Sequence, residues 1–141
     1  MATKKKILIV EDNNDYRNLL VLFLGREGYE IAEARTGREA IEQVHATHPD
    51  LIIMDLGLPG ITGDEAIAHF KADPSTRKIP IIVATAFHEA AACVESVVAA
   101  GADEILHKPI TWTTIQEVLS RYLSEDSMLN RSDSTSNPQS V

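Results

Sequence analysis

The chain has 141 residues, with 13 Lys and Arg against 21 Asp and Glu, which leaves a net charge of −8 with the histidines neutral. A chain of this length fits one domain, buries about two thirds of the surface its unfolded form exposes, and with 44% hydrophobic residues needs no metal or disulfide framework to hold a core. The single cysteine, Cys93, excludes an internal disulfide. With no run of about 18 apolar residues and no charged-then-apolar leader, we expect neither a membrane span nor a secretory signal, and a reducing cytoplasm as the compartment. A pI near 5.0 argues against nucleic acid as a direct partner, because wrapping a phosphate backbone needs a clustered basic face.

From Ile7 to Leu106 short apolar runs alternate with segments of helical period, the pattern of a parallel sheet crossed by helices. Lys4, Lys5 and Lys6 form a solvated entry to a first strand at Ile7 to Val10. Tyr16, Leu19, Leu20, Phe23 and Leu24 then fall at i, i+3, i+4, i+7 and i+8 and predict a first helix with that stripe in the core, ending at Gly28. Glu30 to Ala34 alternates polar and apolar, so one face is wetter and the strand belongs at a sheet edge. Thr36 and Glu39 have capping-box spacing and open a second helix that ends before His48-Pro49. Leu51 to Met54 is a continuous apolar strand, as expected where helices cover both faces. Thr62 and Glu65 open a third helix, ending before Asp73-Pro74, and Ile81 to Ala84 is the fourth strand. His88 to Ala100 is alanine-rich and helical, closed by Gly101, and Glu104-Ile105-Leu106 lies near the other edge. Trp112, Ile115, Val118, Leu119 and Tyr122 mark a fifth helix. The domain therefore spans residues 1–123, and residues 124–141, rich in Ser, Asn, Asp and Thr without periodicity, read as a disordered tail.

In an open doubly wound sheet, ligands bind beyond the carboxyl ends of the strands, where strand order reverses. Glu11-Asp12 follows the first strand, Asp55 the third, Thr85 the fourth and His107-Lys108-Pro109 the fifth. Three acids, a hydroxyl and an ammonium converge. Carboxylates crowded together raise one another's pKa unless a cation joins them, and an all-oxygen donor set favours Mg²⁺. Asp55 is then a candidate nucleophile toward phosphorus, with Lys108 and Thr85 taking up charge on the phosphoryl oxygens. Taken singly, each residue has a plainer reading: the Asp12 to Asp15 run as a helix cap, Asp55 as a turn residue, Thr85 as a strand-end hydroxyl, Lys108 as a solvated charge. Their joint placement at four strand ends is what favours a site.

This set of motifs resembles the receiver domain of bacterial two-component response regulators. Ile7-Leu8-Ile9-Val10-Glu11-Asp12 is similar to that family's first strand and acidic pair, and Met54-Asp55-Leu56 with Leu58-Pro59-Gly60 to its phosphoacceptor segment; Thr85-Ala86 and Lys108-Pro109 complete the set over roughly Lys5 to Leu123. The resemblance implies an α/β, flavodoxin-like doubly wound (βα)5 fold with strands in the order 2-1-3-4-5. It implies phosphotransfer from a histidine kinase or histidine phosphotransfer protein to Asp55. Mg²⁺ would be held by Glu11, Asp12, Asp55 and the Gly57 carbonyl. The domain would catalyse its own phosphorylation and dephosphorylation without conventional substrate turnover. It further implies a cis Lys108-Pro109 bond and a switch through Thr85, Ile105, Lys108 and Pro109 that reshapes the surface read by a downstream protein target, with a homodimer through the fourth and fifth helices as an option. With no output domain after the fifth helix, a single-domain regulator is expected. The alternatives are the receiver of a DNA-binding regulator and a receiver-like binding module that takes no phosphate.

Two positions depart from the family pattern. Ile105 stands where a Tyr or Phe is usual, so the aromatic part of the switch is missing. Phe87, two residues past Thr85, is bulky and is expected to screen the acyl phosphate from water. Other chemistries fit less well. A phosphatase of the haloacid-dehalogenase class needs a second acid two residues after the nucleophile, where Gly57 stands; a flavin carrier would meet repulsion between its phosphate and Glu11-Asp12; and no P-loop is present. His45 and His48, at i and i+3, lack a third metal ligand and read as a solvated helix end. His107 is expected to point away from the site, and Cys93 to be a small packing residue. Trp112 reads either as part of a partner surface or as a lid on the core.

Overall fold

The protein is represented by a computed structural model that describes residues 4–56, 63–85 and 91–123, with side chains from 95 onward in the last stretch. Five strands, β1 (Lys6–Val10), β2 (Glu30–Ala34), β3 (Leu51–Asp55), β4 (Ile81–Thr85) and β5 (Glu104–His107), alternate with helices α1 (Asn14–Arg26), α2 (Gly37–Thr47), α3 (Gly63–Ala72), α4 (Ala91–Ala100) and α5 (Trp112–Leu123). The sheet is parallel throughout, in the order β2-β1-β3-β4-β5, so the two strands read as edges are the edges. The chain forms two compact units, one to residue 109 that holds the sheet and α1 to α4, the other from residue 110 onward that holds α5. No helix of the described residues is long and apolar enough to cross a membrane.

The apolar runs explain the order. Every residue of β3 and β4 is buried, as are Ile7 to Val10 of β1, which requires cover on both faces. Strand order reverses at β1, so the right-handed crossover α1 lies on one face and α2, α3 and α4 on the other. Leu8, Val10, Ile52, Met54, Ile81 and Val83 meet Ala40, Val44, Ile67, Phe70 and Val97 of those three helices in one core cluster. β2 keeps the wetter pattern expected of an edge, with Glu30 and Glu33 exposed.

The helix ends follow local chemistry. Thr36 caps α2 by accepting from the Glu39 N–H at 3.0 Å. The Glu39 carboxylate takes the Arg35 N–H at 2.8 Å, one residue earlier than the reciprocal bond of a standard capping box. His48 ends α2 in the left-handed region at φ 51. Gly101, at φ +118, closes α4 with its N–H toward the Val97 and Val98 carbonyls, and a Cβ there would lie 2.8 Å from Lys71 Cγ. Lys71 is fixed in that place by donating to the Arg77 and Ile79 carbonyls and to Asp103. The expected cap at Thr62 and the expected start of the fourth helix at His88 lie outside the described residues. In α5, Ile115, Val118, Leu119 and Leu123 form the buried stripe, with Trp112 and Tyr122 half-buried.

One expectation is corrected. The stripe read as the core face of α1 is rotated in the structure: Leu19 is 46% exposed, Tyr16 and Phe23 are only half-buried, and the buried residues are Arg17, Leu20 and Leu24. Leucines at 19, 20, 22 and 24 satisfy the helical period on more than one face, and the buried face is the one that carries Leu20, Leu24 and Arg17. The two neighbouring leucines therefore separate cleanly in their energetics. Leu20→Ala is expected to cost about 2–5 kcal/mol in urea unfolding and Leu19→Ala less than about 1 kcal/mol, the reverse order contradicting the assignment of the buried face.

Candidate functional site

The site is built from the residues at which four strands stop being apolar. Glu11 follows β1, and its N–H donates to the Ala34 carbonyl at 3.0 Å, extending the β1/β2 ladder by one residue. Its Oε2 accepts from the Asn13 N–H at 3.1 Å and its Oε1 from Lys108 Nζ at 3.0 Å. Asn13, not Asp12, caps α1, accepting from the Tyr16 N–H at 2.8 Å. The cap therefore leaves the exposed Asp12 carboxylate uncommitted to the helix. Asp55 is the last residue of β3, paired in register with Ala84 and 8% exposed. Thr85, the last residue of β4, is buried, and its carbonyl accepts the Lys108 N–H at 2.7 Å, which holds the residue after β5 against the end of β4. The Lys108-Pro109 bond is cis, as the family resemblance implied.

These supports bring Glu11, Asp12 and Asp55 together so that each offers a carboxylate oxygen within 4.8 Å of the others. Lys108 Nζ reaches into the cluster, donating to Glu11 at 3.0 Å and to Asp55 at 3.2 Å, and its ammonium sits 4.5 Å from the centroid of the Tyr16 ring. Burial pushes the Glu11 carboxyl above its ordinary range and the nearby Asp55 charge adds to this, against the Lys108 bond that pulls it down. For Lys108 burial acts to lower the pKa, but the bonds and charges of Glu11 and Asp55 outweigh it and the net shift is upward. The Tyr16 hydroxyl is also raised, chiefly by burial. An open groove of about 470 Å³ adjoins the cluster, lined by Asn13, Asp15, Tyr16, Leu19 and Lys108.

Of the residues read from the sequence, Glu11, Asp12, Asp55 and Lys108 meet in one place, and Thr85 closes the neighbouring strand end. Ile105 is half-buried and packs against the core cluster, and Pro109 is exposed. Gly57 and Phe87 lie outside the described residues, as does the Cys93 side chain. His107 is exposed. The only group of potential metal ligands among the described residues is the three acids. His45 Nε2 lies 3.7 Å from the Asp73 carboxylate instead, and His48 ends a helix. Sequence reasoning missed two residues, both on α1. Tyr16 was read as core and stacks on the lysine, and Arg17 was not singled out and is buried beneath Glu11. An aromatic and a basic residue four and five positions past an acidic pair are the available signal.

A family model described as the response regulator receiver domain matches residues 7–120. The chain is 35% identical over 121 residues to the polar-differentiation response regulator DivK of Brucella ovis, covering 86% of this chain and 98% of that one. Among solved structures it is similar to the signal receiver domain of a signal transduction histidine kinase from Syntrophus aciditrophicus, with a TM-score of 0.79 and 29% identity over 97% of this chain and 96% of that one. It is also similar to the receiver domain of sensor histidine kinase PA1611 from Pseudomonas aeruginosa, solved with a magnesium ion coordinated in its active site cleft, with a TM-score of 0.78 and 29% identity over 85% and 98% of the two chains.

The raised Glu11 pKa has a signed consequence for stability. Its folded value lies above its ordinary 4.5, so in metal-free protein the group's stabilising contribution is complete below about pH 4.5 and is lost as the pH rises through the folded value. The stability of the wild type minus that of Glu11→Gln, measured by urea unfolding with chelator present, is expected to fall across that window. A difference that rises with pH there would contradict burial as the dominant influence on Glu11.

Proposed function

Because the chain belongs to the response-regulator receiver family, we propose that it accepts a phosphoryl group on Asp55 from the phosphohistidine of a histidine kinase or histidine phosphotransfer protein, and signals to a protein target through the change that follows. The observation that carries this reading is a nearly buried carboxylate at a strand end, 3.2 Å from an ammonium and grouped with two further carboxylates. Such a group has no packing role that a leucine would not fill better, and burying it costs free energy unless a cation accompanies it.

The donor set suits a hard divalent cation. It is three carboxylates with no thiol or imidazole, the preference of Mg²⁺, and Glu11, Asp12 and Asp55 would hold it together with the backbone carbonyl of Gly57. When bound, the ion neutralises the acidic cluster and polarises the phosphoryl oxygens.

The chain's own residues do the rest. An Asp55 carboxylate oxygen attacks phosphorus, the P–O bond forms as the P–N bond to the donor imidazole breaks, and the electron pair leaves with the imidazole, which takes up a proton. The Lys108 ammonium turns from the bare carboxylate to the phosphoryl oxygens, and the Thr85 hydroxyl takes another of them. The switch is driven only by the difference between these contacts in the two forms. In this reading Ile105, packed on the core one strand from Thr85, and Pro109, beside Lys108, carry it outward. A donor protein has to bring its imidazole over the mouth of the site, where Tyr16 and the exposed Leu19 give the adjoining groove an apolar wall on which it rests.

Acetyl phosphate with Mg²⁺, followed by mass spectrometry of the intact protein, tests this directly. The wild type is expected to gain one phosphoryl group and Asp55→Asn none, while Lys108→Met is expected to label on the order of 100-fold more slowly through loss of charge stabilisation. Equal labelling of Asp55→Asn would place the acceptor elsewhere, and an unlabelled wild type would favour a binding module that takes no phosphate.

A further inference from the structure

Arg17 is the only buried basic side chain among the described residues, 4% exposed, and the reaction above makes no use of it. Each of its three guanidinium nitrogens donates a hydrogen bond. Nη1 donates to the Glu11 carbonyl oxygen at 2.8 Å, Nη2 to Asn14 Oδ1 at 2.6 Å and Nε to Glu33 Oε1 at 3.1 Å. The three acceptors come from the end of β1, the start of α1 and the edge strand β2, and a planar fork satisfies all three in one orientation only. A link between α1 and the sheet needs no more than the Glu33 pair. The bond to the Glu11 carbonyl does something that pair does not. That carbonyl lies in the plane of the Glu11–Asp12 peptide, so anchoring it sets the direction in which the chain leaves toward Asp12. Glu11 is then fixed on all four of its polar atoms, by Ala34, Arg17, Asn13 and Lys108.

We propose that Arg17 is a positioning residue for the divalent-cation site, its fork fixing the Glu11–Asp12 peptide so that both carboxylates turn toward Asp55. The inference rests on the reading of that cluster as a cation site. Charge and position make opposite claims here. Arg17 is itself a cation beside an acidic pocket, so by Coulomb's law alone its removal tightens binding of a divalent ion. If its role is to aim the carboxylates, removal weakens binding despite the lost repulsion, as is usual for residues that orient metal ligands.

The experiment is a Mg²⁺ titration of the full chain without phosphodonor, read by calorimetry and by the amide shifts of Asp12 and Asp55, with urea unfolding of each variant alongside. Arg17→Met is expected to bind Mg²⁺ about 10-fold more weakly or worse. Glu33→Gln, which removes the charge pair between α1 and β2 but leaves the bond to the Glu11 carbonyl, is expected to lose stability while keeping its affinity within about twofold of the wild type. Should Arg17→Met fail to fold, Arg17→Lys keeps the charge but cannot span three acceptors, and a smaller loss of affinity is expected. Unchanged or tighter binding in Arg17→Met, or in Arg17→Lys where that variant stands in, overturns the proposal, as does a Glu33→Gln loss equal to that of Arg17→Met. A wild type that takes up no Mg²⁺ overturns the cation site and this inference together, whereas a binding wild type with an indifferent Arg17 variant overturns the inference alone.

Discussion

Three carboxylates brought within 4.8 Å of one another repel, and among the described residues the cation bonded to those carboxylates is the Lys108 ammonium. At the effective dielectric of a protein site, a pair of unit charges at that separation costs about 3 kcal/mol, a large share of the stability of a small domain. Lys108 offsets part of this by bonding to Glu11 and Asp55 together, and both acids in turn hold its proton more firmly. The lysine is thereby kept at the point where negative charge accumulates. A site that is unfavourable without a cation, and that already recruits one from its own chain, has the charge balance that the proposed divalent ion and phosphoryl group call for.

The scaffold explains why the acids cannot drift apart. β1 and β3 are neighbours at the position where strand order reverses, and their fully buried apolar stretches give the strands no freedom to slide. The candidate site residues start where those stretches stop. Backbone bonds past the regular ladder, from Glu11 to Ala34, from Leu56 to Ala84 and from Lys108 to Thr85, carry the rigidity of the sheet into the first residue beyond each strand. The neighbouring groove on α1, with its exposed leucine and its tyrosine against the lysine, lies outside that framework.

The sheet was legible because its signal is simple. Continuous apolar runs gave β1, β3 and β4 within a residue, the alternating run Glu30 to Ala34 gave an edge strand, and the capping spacing at Thr36 placed the start of α2. The acidic cluster was legible for the same reason, since residues that directly follow such strands must gather at one end of the sheet. The buried face of α1 was not. Its apolar residues are too many for periodicity to choose among, and the face that is buried carries Arg17, whose acceptors lie partly on other elements. The cap at Asn13 was equally hidden, because four consecutive residues from Asp12 to Asp15 all have side chains able to cap, and only the extended backbone at Asn13 selects one.

The central claim is that Asp55 is a phosphoryl acceptor whose charge is managed by Lys108 and a divalent ion. A structure of the protein soaked with Mg²⁺ and beryllofluoride tests it most directly. The account predicts the beryllium adduct on an Asp55 carboxylate oxygen, the ion among Glu11, Asp12 and Asp55, and Lys108 Nζ moved from Glu11 onto a fluorine. An Asp55 left bare, with Lys108 still bridging the two acids, would contradict it.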